Sequence, residues 1–220
     1  MRRAGVLLAV GILLIAAAVF AIVNPVGGLV TYVTLTQGYT PELKRRVIRR
    51  VVIVATGTLL LFAFLGNQIF SFFSLSIPAF RIAGGIVLFM VAYSMMRGEP
   101  SKTQVSPQDE ADAMEKEAVG VVPLGIPMFA GPGAITTVIG LMAEATVPLD
   151  LFKITAIVAA ILATMGISWV LLWRAEGVFA RMGRMGAYAF SRIMGLLLAA
   201  VAVQFVILGI DGAITQYWLP

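Results

Sequence analysis

Two short motifs hold the residues best suited to chemistry: Asn24-Pro25-Val26-Gly27-Gly28 and Gly131-Pro132-Gly133, each inside a long uncharged run. Proline removes an amide donor and glycine weakens a helix, so each motif should free backbone carbonyls before it and amides after it. Amides opening the second half-helices, near Gly28 and Ala134, carry partial positive charge and can hold a small carboxylate or other anion. Carbonyls ending the first halves, near Val23, Asn24 and Ala130, can hold a cation or an ammonium. An α-amino acid carries both groups close together and complements both ends at once. Each helix end contributes only about 0.3 to 2 kcal/mol, so side chains must add to it.

Asn24, Thr31, Thr34, Thr136 and Thr137 flank the motifs and can hydrogen-bond without charge. Each threonine serves a site, or equally its own helix backbone. Gly27, Gly28, Gly131 and Gly133 either admit a ligand to the backbone or let helices pack closely. Arg81 and Arg192 lie near apolar stretches, where a buried charge costs ~2.5 to 3.5 kcal/mol at the membrane centre. They either line the mouths of a pathway, as gates, or snorkel to the headgroups.

The chain has no cysteine and no histidine, which removes disulfides, thiolate metal sites and the usual general base. No apolar run holds a central Asp or Glu, so a proton relay lacks its usual carrier. Glu144, Glu176 and Asp211 fall near span ends, as solvated loop charges do. No nucleophile and base pair is evident, so the expectation is a protein without enzymatic activity, metal or bound cofactor. Phe62, Phe64, Phe72 and Phe73 read as lipid-facing or packing residues.

Of the 220 residues, 60% are hydrophobic and 12% charged, and mean hydropathy is +0.98. A soluble domain carries about 25% charge, so disorder, a collagen-like fibre and an ordinary globular enzyme are excluded. The chain must be an all-α, polytopic membrane protein. Uncharged runs cover 4–41, 51–80, 82–96, 118–143, 154–173 and 193–210, which predicts six spans. The run 82–96 reaches only about 22 Å at 1.5 Å per residue, so the third helix must start near Pro78 and take in Arg81. The last must start near Gly186 and take in Arg192.

One side collects Lys44, Arg45, Arg46, Arg49, Arg50, Arg97, Lys102, Lys116, Arg174, Arg181 and Arg184, and the other only Arg2, Arg3 and Lys153. The positive-inside rule then puts both termini outside. The formal charge of +5 is topogenic, with no nucleic-acid-binding face. The opening run continues too far to be a cleaved signal peptide and reads as a mature span.

Ala79-Phe80-Arg81-Ile82-Ala83-Gly84 recurs, with one insertion, as Ala189-Phe190-Ser191-Arg192-Ile193-Met194-Gly195, half a chain later. The two Gly/Pro motifs recur at corresponding positions, in the first and fourth spans. Three spans per half is odd, so the second copy enters the membrane inverted, a plan shared by many secondary transporters. The predicted organisation is a three-helix repeat over 1–97, a solvated acidic linker over 98–117 and a second repeat over 118–220, with helices 1 and 4 discontinuous. Irregular backbone at membrane depth needs protein or a wet cavity around it, so the breaks predict a polar cavity between the halves.

Four ordered motifs, spread over essentially the whole chain, make it resemble the MarC family of six-span prokaryotic membrane proteins, the NAAT-type neutral amino acid transporters. They are Asn24-Pro25-Val26-Gly27; Ser76-Ile77-Pro78-Ala79-Phe80-Arg81-Ile82-Ala83-Gly84-Gly85; Val122-Pro123-Leu124 through Pro127 with Ala130-Gly131-Pro132-Gly133-Ala134-Ile135; and Ser191-Arg192-Ile193-Met194-Gly195 with Gln204-Phe205. The chain departs from the family pattern at Val30, where many members carry a second proline, and at Thr31, where they carry an apolar residue. The resemblance implies a plasma-membrane protein moving small neutral amino acids such as glycine and alanine, driven by an ion gradient.

The expectation is therefore a secondary transporter working by alternating access, with Na+ or H+ as coupling ion. Asn24, Pro25, Gly27, Gly28, Thr31, Gly131, Pro132, Gly133, Ala134, Thr136 and Thr137 are the expected substrate residues. A passive channel, an exporter of another small solute and a non-transporting scaffold are the alternatives.

Overall fold

A computed structural model describes residues 2–36, 38–97, 118–146, 149–179 and 183–217. The acidic linker and the side chain of Thr34 lie outside the described residues. Seven α-helices follow in order: α1 (Arg2–Val23), α2 (Pro25–Leu35), α3 (Pro41–Phe72), α4 (Ile77–Arg97), α5 (Pro132–Thr146), α6 (Leu151–Phe179) and α7 (Gly183–Tyr217). A kinked turn with π-type hydrogen bonds over Leu124–Phe129 precedes α5. Among the described residues no strand forms, and the fold is all-α.

Among the described residues five helical stretches are long and apolar enough to cross a membrane: Val10–Val33, Pro41–Phe72, Ile77–Arg97, Leu151–Ala175 and Gly195–Gln216. The first runs through the α1/α2 break, so the opening run forms one interrupted span. The fourth predicted span contributes no long helix, because its first arm is the π-helical turn with Pro127 inside and its second is the 15-residue α5. As the length argument required, α4 begins at Ile77 and carries Arg81 within it, and α7 carries Arg192. The start of α7 at Gly183 lies three residues before the position expected from the sequence.

Local chemistry sets these boundaries. Thr40 caps α3 by accepting from the Leu43 amide at 3.3 Å, and Pro41 follows at the first helical position. Asp150 caps α6 by accepting from the amides of Phe152 at 3.1 Å and Lys153 at 3.0 Å.

Packing divides the molecule into two layers. The buried core lies among α1, α2, α3, α5 and α6, around Tyr32, Leu59, Phe129, Ile157, Ile161 and Met165. Where α3 meets α4, Phe70 packs edge-on against both Phe62 and Phe80, with the Phe70 and Phe80 centroids 5.2 Å apart. The exposed Phe64, Phe72 and Phe73 face outward. Helices α4 and α7 form the second layer and make the most extensive helix pairing in the molecule.

That pairing is antiparallel and depends on missing side chains. A Cβ on Gly85 would lie 2.7 Å from the Ala202 carbonyl and 2.8 Å from Val206 Cγ2. One on Gly195 would lie 3.0 Å from both the Ala92 carbonyl and Met95 Cβ, and one on Gly209 2.9 Å from the Pro78 carbonyl. Close approach of this kind is how helices associate where lipid removes the hydrophobic drive. Matching Arg81 to Arg192 turns the Gly195–Met95 contact into Gly84–Val206, one residue from the Gly85–Val206 contact seen. The two helices thus meet about a local two-fold, with Arg81 and Arg192 toward opposite ends of the pair.

Candidate functional site at the two helix breaks

The first break is a single residue. Asn24 adopts the left-handed conformation, φ 50° and ψ 64°, which asparagine tolerates better than most residues. The helical ladder runs up to Asn24 N–H on Phe20 and resumes with Gly28 N–H on the Asn24 carbonyl. Between them Pro25 has no amide, and the Gly27 amide donates to Asn24 Oδ1 at 3.1 Å instead of reaching back to Val23. The carbonyls ending α1 thus lose their usual helical partners, close to the midpoint of the Val10–Val33 span.

The second break is longer. Ile126, Met128 and Ala130 donate to Val121, Pro123 and Gly125, each one residue further back than an α-helix allows. Ile126 departs from helical geometry within the turn, at φ −131° and ψ 128°, and Ala130 again at its end, at φ −103° and ψ 62°. Gly131 accepts from the Ile135 amide at 2.9 Å and so stands at the N-cap of α5. As a glycine it offers no side chain to the first-turn amides of Gly133 and Ala134.

The two breaks meet. One cavity of about 40 Å³ is lined by Ile22, Val23 and Asn24 from the first, Pro127, Met128, Gly131, Gly133 and Ala134 from the second, Leu88 from α4, and Leu198, Val201 and Phe205 from α7. It sits on the seam between the core layer and the α4/α7 pair. A buried water needs roughly 10 to 15 Å³ by this measure, so the space admits a few water-sized groups. A Cβ on Gly133 would lie 2.5 Å from the Phe205 ring and 3.2 Å from Ile22 Cδ1, so that glycine makes room for both neighbours.

Of the expected substrate residues, Asn24, Gly131, Gly133 and Ala134 line this cavity, and Pro25, Gly27, Gly28, Thr31, Pro132, Thr136 and Thr137 do not. Gly28 is buried against the ring of Phe129, and Pro132 against Gly84. A Cβ on Gly27 would lie 2.6 Å from Asn24 Nδ2, so Gly27 protects the cap. Thr31 is buried and donates to the Gly27 carbonyl at 3.4 Å and toward Met95 Sδ at 3.7 Å. Thr136 donates to the Gly133 carbonyl at 3.1 Å, and Thr137 is half-buried on the same helix. Arg81 is half-buried and Arg192 exposed, both away from the cavity.

Sequence reasoning missed Ile22, Leu88, Pro127, Met128, Leu198, Val201 and Phe205 as wall residues. Of these, Pro127 in the third motif and Phe205 beside Gln204 in the fourth left a signal. A larger cavity of about 220 Å³ lies elsewhere, by Asp150 and Lys153. It touches neither break, and the smaller space is the candidate site because the freed backbone groups converge there.

Fold and site together define an all-helical, polytopic integral membrane protein with interrupted helices. Its family is equally clear: the profile of the MarC family of integral membrane proteins matches residues 10–214, and the chain belongs to that family. It is 38% identical over 196 residues to the UPF0056 membrane protein MJ1677 of Methanocaldococcus jannaschii, covering 89% of this chain and 94% of that one. The UPF0056 membrane protein YvbG of Bacillus subtilis is 33% identical, with coverage of 88% and 90%. YhcE of Escherichia coli, also a UPF0056 membrane protein, is 32% identical, with 88% of each covered. No solved structure matches the chain.

Proposed function

We propose that this protein is a secondary transporter for small neutral amino acids of the glycine and alanine size, working without covalent chemistry. The observation that supports this most strongly is a cavity walled by both helix breaks. Carbonyl-rich backbone at Ile22 and Val23 complements an ammonium, and the α5 amides at Gly133 and Ala134 complement a carboxylate. A zwitterion has no net charge and needs no fixed ionic partner, in keeping with a wall free of Asp, Glu, Lys and Arg. The small volume favours solutes of few heavy atoms over bulky drugs.

The layering supplies a means of alternating access. The α4/α7 pair is tightly joined internally and meets the core layer more sparsely, so rocking it as a rigid unit opens the seam on one side or the other. Arg81 and Arg192, at opposite ends of that pair, stand where two entrances would form. On this reading the protein lies in the prokaryotic plasma membrane with both termini outside, and a Na+ or H+ gradient drives it.

The test is uptake of labelled glycine and alanine into liposomes holding the purified protein, under separate Na+ and H+ gradients, with counterflow measured in parallel. Concentrative uptake under one gradient, with exchange, supports the reading. Flux without exchange identifies a channel, and no flux of either solute under either gradient overturns the transport assignment.

A further inference from the structure

The larger cavity is a groove between α1 and the start of α6, lined by Gly11, Ile12, Ile15, Asp150, Phe152, Lys153 and Ala156. Its walls are apolar, and its one charged end holds a carboxylate and an ammonium. The apolar span Leu151–Ala175 begins beside it, with Asp150 and Lys153 at that span's start, and the apolar walls run along α1 and α6 away from the two charges. Among the described residues nothing fills the gap at Gly11, where a Cβ would meet no atom within 4 Å.

We infer that this groove is a binding site for one phospholipid with an amine-bearing headgroup, such as phosphatidylethanolamine. Lys153 is exposed and forms no ion pair among the described residues, so its ammonium is available to the lipid phosphate. Asp150 spends Oδ1 on the amides of Phe152 and Lys153, which leaves Oδ2 to accept from the headgroup amine. The acyl chain lies along Ile12, Ile15 and Ala156 in the space that Gly11 leaves open. Opposite charges on successive turns match a zwitterionic headgroup; a phosphatidylglycerol, with phosphate alone, satisfies Lys153 but leaves Asp150 facing like charge. Because α1 leads directly to Asn24, the lipid steadies the arm that carries the first break.

The experiment is native mass spectrometry of the full-length protein released from nanodiscs of equal parts phosphatidylethanolamine and phosphatidylglycerol. The wild type should retain one phosphatidylethanolamine in preference to phosphatidylglycerol. Lys153→Glu should cut that retention roughly tenfold, the loss of one charge-assisted contact. Gly11→Phe should fill the groove and abolish it, whereas Gly166→Phe, which adds the same ring at an open glycine of α6, should leave it unchanged. Equal retention of both lipids, retention surviving both Lys153→Glu and Gly11→Phe, or a lipid-free dimer burying the groove would each overturn the inference. Lys153→Glu alters an exposed side chain and decides the matter should Gly11→Phe fail to fold.

Discussion

Gly28, four residues past the first break, sits directly against the ring of Phe129, the last residue of the irregular turn in the second. Phe129 is fully buried and Gly28 has no Cβ, so the two interrupted helices touch where each loses its regular hydrogen bonding. Residues a hundred positions apart in the chain thereby fix the cavity between Asn24 and Ala134. Gly28→Val should collide with the ring and cost about 1 to 3 kcal/mol, as overpacking does in dense interiors. Thermal melts in detergent should show it, and Phe129→Leu in the same chain should recover part of the loss as a measurable coupling energy.

Asn24 performs two tasks that substitution separates. Asn24→Gly keeps the left-handed backbone and gives up the cap, while Asn24→Ala gives up the cap and also strains the backbone by about 1 to 2 kcal/mol. The alanine variant should therefore melt below the glycine variant. Both should lose uptake if the amide touches the solute.

Phe205 limits the space above Gly133. Phe205→Ala should enlarge the cavity and raise uptake of valine or leucine relative to glycine by roughly tenfold or more, the size discrimination a few methylenes provide. Competition by unlabelled amino acids against labelled glycine measures this directly, and an unchanged ranking would remove Phe205 from the wall of the site.

Glycines in this protein divide by what surrounds them. Gly85→Leu should pry α4 from α7 and destabilise by about 1 to 3 kcal/mol, because the Ala202 carbonyl stands in the way. Gly57→Ala, in open space on α3, should stabilise by up to about 1 kcal/mol through helix propensity alone. Melting the two variants side by side checks the assignment of α4 and α7 as one rigid unit.

Much of the architecture was legible because membrane physics is a strict constraint. The short run after Arg81 forced α4 to begin upstream, and it begins at Ile77. Proline and glycine marked the first break to within a residue and the second only at its Gly131 end, while the irregular backbone reaches back to Ile126. The opening run forms one apolar helical stretch interrupted at a single residue, Asn24. Tertiary contacts were not legible. Nothing in the spacing of Phe129 or Phe205 tells a packing aromatic from one that walls a cavity. Thr31 and Thr136 flank the motifs, yet in the fold they donate to carbonyls of their own helices, a competition that sequence alone leaves open. The π-helical form of the fourth span's first arm likewise depends on five-residue hydrogen bonds that no residue pattern announces.

The native chain contains no cysteine, so a single introduced thiol reports on its own surroundings. Met128 lines the cavity and is half-buried, and Met128→Cys reduces side-chain volume there; Ile167→Cys, on the exposed face of α6, is the lipid-facing control. In liposomes, a charged, membrane-impermeant thiol reagent should modify the first and not the second, and saturating glycine or alanine should slow that modification. Equal inertness of both thiols would mean that the meeting place of the two breaks is dry, and would contradict the account at its centre.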